Sequence, residues 1–177
     1  MDTPQTQITT RAEFAQALLF VLEQAIEDGT KELWVVDPDF EIWPLDGPPF
    51  LDALTTWARL PKRHARMFAH DFDGLPRRRA VMLAQSFDRV PLRQPRFTEW
   101  RRTWSHALEC RALEEIDASE VPTLLLAGGG LGVQLLDRRY CRGRWFRDDT
   151  TWRTWREVID ALSQRSESSF GATTLGL

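Results

Sequence analysis

Two apolar stretches of this chain run straight into acid. "ELWVVDPDF" places Asp37 and Asp39 behind the run 33–36, and "ARMFAHDFDG" places His70, Asp71 and Asp73 behind the run 65–70. Each reads as a buried strand whose last residues turn acidic. Between them Phe50, Leu51, Leu54, Trp57 and Ala58 share one helical face, entered through Pro49 and ended by Pro61. A strand, a helix and a second strand in that order predict an α/β fold. In open α/β sheets, ligands bind at the carboxyl ends of parallel strands. Asp37, Asp39, His70, Asp71 and Asp73 are therefore the first candidate site residues.

The flanking segments extend the pattern. Thr10 and Glu13 have capping-box spacing, and Phe14, Leu18, Val21, Leu22 and Ala25 continue a helix stopped by Gly29. Residues 1–9 are expected to be a disordered tail. "DFEIWPLD" alternates polar and apolar residues and predicts a short strand turning away from the sheet. Gly74 and Pro76 break the chain, and 77–89 reads as a helix opening on Arg77, Arg78 and Arg79. Residues 90–96, with Pro91 and Pro95, form a connector. Phe97, Trp100, Trp104 and Leu108 repeat at helical spacing, yet 106–113 also alternates like a strand; one long helix and a short helix leading into a strand both fit.

"TLLLA" (123–127) and "VQLLD" (133–137), joined by the turn "GGGLG" (128–132), predict a hairpin that Tyr140–Phe146 extends. Asp149 or Thr150 then caps a last helix with Trp152, Trp155, Ile159 and Leu162 on one face. Residues 166–177 are too rich in Gly, Ser and Thr for a helix and are expected to run extended. The domain expectation is thus a tail (1–9), a single α/β domain (10–165) and a second tail (166–177). Its mixed sheet is flanked by helices, with a hairpin in the C-terminal half. A length of 177 residues suits one such domain.

Charge narrows the partners. Residues 1–58 carry a net −9, residues 59–111 a net +8 and residues 112–177 a net −2; 21 of the 23 basic residues are arginine. Three arginines at the start of a helix oppose its macrodipole, which points to an anion. With Arg101 and Arg102 they make a candidate basic groove for an acidic protein partner or an anionic ligand. The Trp/Arg segments place their tryptophans at helical spacing toward the core, so nucleic acid is not an expected partner. No apolar run approaches the roughly 20 residues that span a bilayer, so no membrane partner is expected. "MDTPQTQITT" has neither a basic n-region nor an apolar h-region and predicts no secretory signal. Cys110 and Cys141 match no metal or redox spacing and read as free thiols of a cytoplasmic protein.

Each catalytic pattern is incomplete. Asp71-Phe-Asp73-Gly74 is similar to the acidic loop of haloacid-dehalogenase-type phosphatases. There the first Asp attacks phosphorus and the second acts as acid and base, with magnesium between them. Leu75 replaces the usual Thr or Val, and both lysines, Lys31 and Lys62, lie upstream of the place where that family needs one. Asp37, Asp39, Asp71 and Asp73, if their strands are neighbours, would make an oxygen-rich site for magnesium or manganese. That is the alternative reading, a metal-dependent phosphoesterase or hydrolase; the leading expectation is no metal and no cofactor. A Ser105/His106/Glu109 set has poor geometry, because residues 105 and 106 of a strand face opposite ways. "GGGLG" precedes a strand, not the helix that a phosphate loop requires.

The layout of helix–strand units followed by "TWSHALECRAL" and "TLLLAGGGLGVQLLD" resembles the phospholipase D-like fold in a degenerate, single-copy, bacterial form. In that superfamily a strand carrying His-x-Lys-x4-Asp meets such a hairpin; the histidine attacks phosphorus and the lysine holds the phosphate. His106 falls at the histidine position, Leu108 stands at the lysine and Leu113 at the aspartate. The resemblance implies the shape without the chemistry. It implies a non-catalytic binding or interaction module, with His106 near its site and two copies pairing as a homodimer.

Overall fold

Thr10 starts the first helix as its spacing predicts. Its hydroxyl accepts the Glu13 N–H at 3.1 Å, and the Glu13 carboxylate accepts the Thr9 and Thr10 N–H groups at 2.7 and 3.1 Å. These bonds, those from Thr9 foremost, hold the Glu13 carboxyl below its ordinary pKa. The helix, α1 (Arg11–Glu27), buries Phe14, Ala17, Leu18, Val21, Leu22 and Ala25. A computed structural model describes residues 7–70 and 95–168. Its other helices are α2 (Pro48–Arg59), α3 (Pro95–Thr103) and α4 (Asp149–Gln164). Its strands are β1 (Gln7–Ile8), β2 (Glu32–Val36), β3 (His64–Ala69), β4 (Leu108–Ala112), β5 (Thr123–Ala127), β6 (Leu131–Asp137), β7 (Arg142–Arg147) and β8 (Glu167–Ser168).

The strands form one mixed sheet in the order β1-β7-β6-β5-β2-β3-β4-β8. Strands β2, β3 and β4 run parallel; every other pairing is antiparallel. The α/β class with helices on both faces is thus what the strand–helix–strand pattern predicts. Among the described residues no helix is long and apolar enough to cross a membrane.

Alternation along the strands sends successive side chains to opposite faces, and the two faces differ. Leu33, Met67, Cys110, Leu125, Val133 and Trp145 face one way and pack against α1, α2 and α3. Trp57 and Trp100 lock this side. Each indole N–H finds a partner, the Thr30 carbonyl and the Thr55 hydroxyl, both at 2.9 Å. Trp34, Val36, Phe68, Leu124, Leu126 and Phe146 face the other way, against Ile159 and Leu162 of α4. Arg156 of α4 lies 4.2 Å from the Trp34 ring centroid.

Beyond α4 the second face turns polar. Register places Arg66 between Trp34 and Glu109. Glu109 gathers Arg111 at 2.7 Å, His64 at 3.2 Å and Arg66 at 3.4 Å. Arg111 also donates to the Ser166 hydroxyl and carbonyl, at 2.5 and 2.9 Å, tying β4 to the end of α4.

Several local expectations are corrected. Gln7 and Ile8 are not tail but an edge strand on β7, because Ile8 is buried in the core. "DFEIWPLD" forms turns, not a strand, for a reason given below. The ambiguous stretch resolves into α3 and then β4. Helix α4 is capped one residue early, by Asp148, whose carboxylate accepts the Thr150 and Thr151 N–H groups. The hairpin turn is Gly128–Gly130, and β6 starts at Leu131; Gly129 and Gly130 have φ of +73° and +77°. The helix expected over 77–89 and the connector as far as residue 94 lie outside the described residues.

Two outcomes are expected. At Gly143 an added Cβ would collide with the Gln134 carbonyl oxygen and stand 2.8 Å from Leu135 Cα. Gly143→Ala should therefore lose about 1–3 kcal/mol in chemical denaturation; no loss would mean that β7 does not lie this close to β6. The second concerns Glu109, held below its ordinary pKa first by Arg111, then by His64 and Arg66. A carboxyl depressed in the folded state contributes stability above its unfolded pKa and loses it as pH falls through the folded one. Glu109→Gln should lower the unfolding midpoint near neutral pH, and the gap from the parent should close between about pH 5 and pH 3. A gap independent of pH would disprove the ionic origin.

Candidate functional site

Asp37 leaves the sheet last on β2; its N–H still bonds to the Phe68 carbonyl of β3 at 3.1 Å. Its side chain is 0% exposed. A buried carboxylate must be matched by donors, and four groups supply them. Oδ1 accepts the N–H groups of Phe40 at 2.7 Å and Asp39 at 3.1 Å. Oδ2 accepts the hydroxyl of Thr123, the first residue of β5, at 2.6 Å. Arg138, next after β6, donates Nη2 to Oδ1 at 3.3 Å and Nε to Oδ2 at 3.4 Å.

The same Nη2 also donates to the Asp39 carboxylate. Asp39 Oδ1 accepts the Glu41 N–H at 2.9 Å, and Phe40 takes φ of +59°. Side chains thus capture the backbone donors that a strand would have needed, so the alternating segment after Val36 turns instead. Further along this loop, Asp46 accepts the N–H groups of Arg96 and Phe97, at 2.6 and 3.2 Å, at the start of α3.

The expected carboxylate cluster therefore resolves, for its described members, into an Asp37–Arg138–Asp39 group. His70 stands at the same edge, at the end of β3, and its Nδ1 donates to the Leu113 carbonyl at 3.2 Å; a carbonyl only accepts, so the proton is on Nδ1. Asp71, Asp73, Arg77, Arg78 and Arg79 lie outside the described residues. Among the described residues no group of three or more His, Cys, Asp or Glu is placed to hold a metal ion.

Arg101 and Arg102 do not line one surface. Neighbours on a helix point about 100° apart: Arg101 is half-buried beside Cys110, while Arg102 is exposed. Burial lowers the Arg101 guanidinium pKa and pushes the Cys110 thiol up to about 12, so this cysteine is no nucleophile.

His106 is also displaced from expectation. It sits in the turn before β4, exposed, with its ring 5.6 Å from that of Trp104. Because β4 runs parallel to β2, this turn is at the amino edge of the sheet, opposite Asp37. Glu109 pairs with His64, so Ser105, His106 and Glu109 form no relay. The "GGGLG" turn borders an open cleft of about 440 Å³ at that amino edge, with Lys31, Glu32, Trp34 and Trp152.

The two site residues that sequence reasoning missed are Thr123 and Arg138. A signal existed for Thr123, since a hydroxyl heading an all-apolar strand needs a buried partner; Arg138 had none. Thr123 and Asp37 resemble a nucleophile and its base in spacing. Both are buried, and the carboxylate is already saturated with donors, so neither can meet a substrate. No family model matches the chain, and neither the curated proteins nor the solved structures contain a match.

Removing Asp37 leaves Arg138 and the Thr123 hydroxyl without their acceptor. Asp37→Ala should cost about 3–5 kcal/mol, against less than about 1 kcal/mol for the half-exposed Asp39→Ala. Denaturant unfolding of both variants measures this, and equal losses would show that Asp37 is not the anchor.

Proposed function

We propose that this protein is a non-catalytic binding module on a degenerate enzyme-like α/β fold, and that its partner is anionic. One observation carries the reading. Arg138 stands at the carboxyl end of β2, the edge where such folds take their ligands, and it pairs with both carboxylates, Asp37 and Asp39, that a hydrolase would have used. A guanidinium in that place repels the divalent cation that the alternative reading needs.

The phospholipase D-like resemblance supports the same reading. Leucines stand at two of its three signature positions, and His106 sits in an exposed turn against the Trp104 ring. The high arginine content supports an anionic partner, since exposed arginines pair bidentately with carboxylate or phosphate. Cys110 and Cys141 are both free and buried, which is in keeping with a reducing, cytoplasmic setting. No cofactor is part of the proposal.

Thermal unfolding with EDTA, magnesium, manganese or inorganic phosphate, alongside hydrolysis of bis(p-nitrophenyl) phosphate, tests it. Phosphate at 100 times its dissociation constant should add about 2.7 kcal/mol. The metals should leave the midpoint unchanged, and no hydrolysis should occur. Metal-dependent hydrolysis that is lost in Asp71→Asn would overturn the proposal in favour of a phosphoesterase.

A further inference from the structure

The hairpin between β6 and β7 ends in "LDRRYCRGR", residues 136–144, with four arginines among residues 138–144 and no acid there. Register pairs Leu135 with Gly143 and Asp137 with Arg142. Leu136 is therefore an extra residue, a β-bulge, and bulges re-aim side chains. Leu136 is 72% exposed and Tyr140 57% exposed; among the described residues these are the exposed large hydrophobics.

The turn that carries them is held by side-chain contacts. Asp137 Oδ1 accepts the Tyr140 N–H at 3.1 Å. Cys141 turns the chain at φ of +50° with its thiol buried, and Arg138 is fastened to Asp37 and Asp39. Arg139 and Arg142, both exposed, hold their guanidinium carbons 5.4 and 5.6 Å from the Tyr140 ring centroid. The tip is thus a preformed patch of an aliphatic side chain, an aromatic ring and two exposed cations, so that little entropy is lost when a partner binds.

We infer that this hairpin tip is a docking surface for an acidic segment of a partner protein, one that also carries aliphatic side chains. The inference rests on the binding-module reading and gives it a place. Carboxylates of the segment meet Arg139 and Arg142 as bidentate pairs, and an aliphatic side chain covers Leu136 beside the Tyr140 ring. Tyrosine and arginine are, with tryptophan, the residues enriched among the hot spots of protein interfaces. Nucleic acid fits less well, because base stacking needs an open ring face and the two guanidiniums lie over the Tyr140 ring. A bare phosphate leaves Leu136 without a partner.

The test is fluorescence anisotropy of the full chain with a fluorescein-labelled peptide of repeating Glu-Leu-Asp. A repeating Glu-Gly-Asp peptide and labelled oligo(dT) serve as comparisons. The Leu peptide should bind at least about tenfold more tightly than the Gly peptide. Arg139→Glu combined with Arg142→Glu should weaken it at least about tenfold, and Leu136→Ser should erase the preference for leucine. All three side chains are exposed, so the unfolding midpoint should stay unchanged.

Peptide binding that survives the charge reversal would overturn the hairpin assignment and leave the binding-module reading standing. Tighter binding of oligo(dT), or self-association in sedimentation that the reversal abolishes, would replace the occupant with nucleic acid or a second copy. Metal-dependent hydrolysis in the preceding experiment would overturn the module reading whatever the hairpin does.

Discussion

Asp37 carries a carboxylate with no access to water, and four segments of chain are arranged around the need to satisfy it. The end of β2 brings the residue, the following turn brings two N–H groups, the start of β5 brings a hydroxyl and the end of β6 brings a guanidinium. Half of those partners lie more than 80 residues away in sequence. A buried charge left unpaired is among the most destabilising features a fold can contain. The junction of the parallel and antiparallel halves of the sheet is therefore fixed here. The loop that leaves the junction also caps α3 through Asp46, so the helix layer takes its position from the same turn.

The two faces of the sheet solve burial differently. Helices α1, α2 and α3 cover one face, where the indole N–H groups of Trp57 and Trp100 find acceptors in Thr30 and Thr55. On the other face, among the described residues, α4 covers the middle of the sheet and charged groups lie beside it. Glu109 with His64, Arg66 and Arg111 lies over the outer parallel strands. Arginine suits this role because its planar head can stack on an aromatic ring, as Arg156 does on Trp34, or fork between acceptors, as Arg111 does.

At the carboxyl end of β2 the two acids are paired from within the chain, by Arg138. Arg138 reaches them because β6 runs antiparallel to β5, which returns the chain to the edge where β2 ends. The residue that pairs them is the first after β6, and the hairpin tip beyond it exposes Tyr140. A single arginine thus both pairs the strand-end acids and anchors the start of the hairpin tip. The bulge at Leu136 adds the apolar element that an arginine-rich turn alone would lack.

Much of this was legible in the sequence. Helices α1, α2 and α4 and strands β2, β3, β5 and β6 follow from periodicity and caps, because 3.6-residue and two-residue repeats and the Thr10/Glu13 box are local signals. Asp37 and Asp39 were visible as strand-end acids for the same reason. Their partners were not. Thr123 and Arg138 reach Asp37 only through sheet order, and no local pattern tells a strand whether β3 or β5 will lie beside it. The same limit misplaced Ile8, whose burial depends on pairing with a strand more than 130 residues later, and His106, whose edge of the sheet depends on the direction of β4. The sequence by itself determined the segments whose periodicity is unambiguous and where acid and arginine concentrate. The tertiary structure alone decided that the acids meet an arginine, because a buried carboxylate takes whichever donor the completed sheet brings within reach.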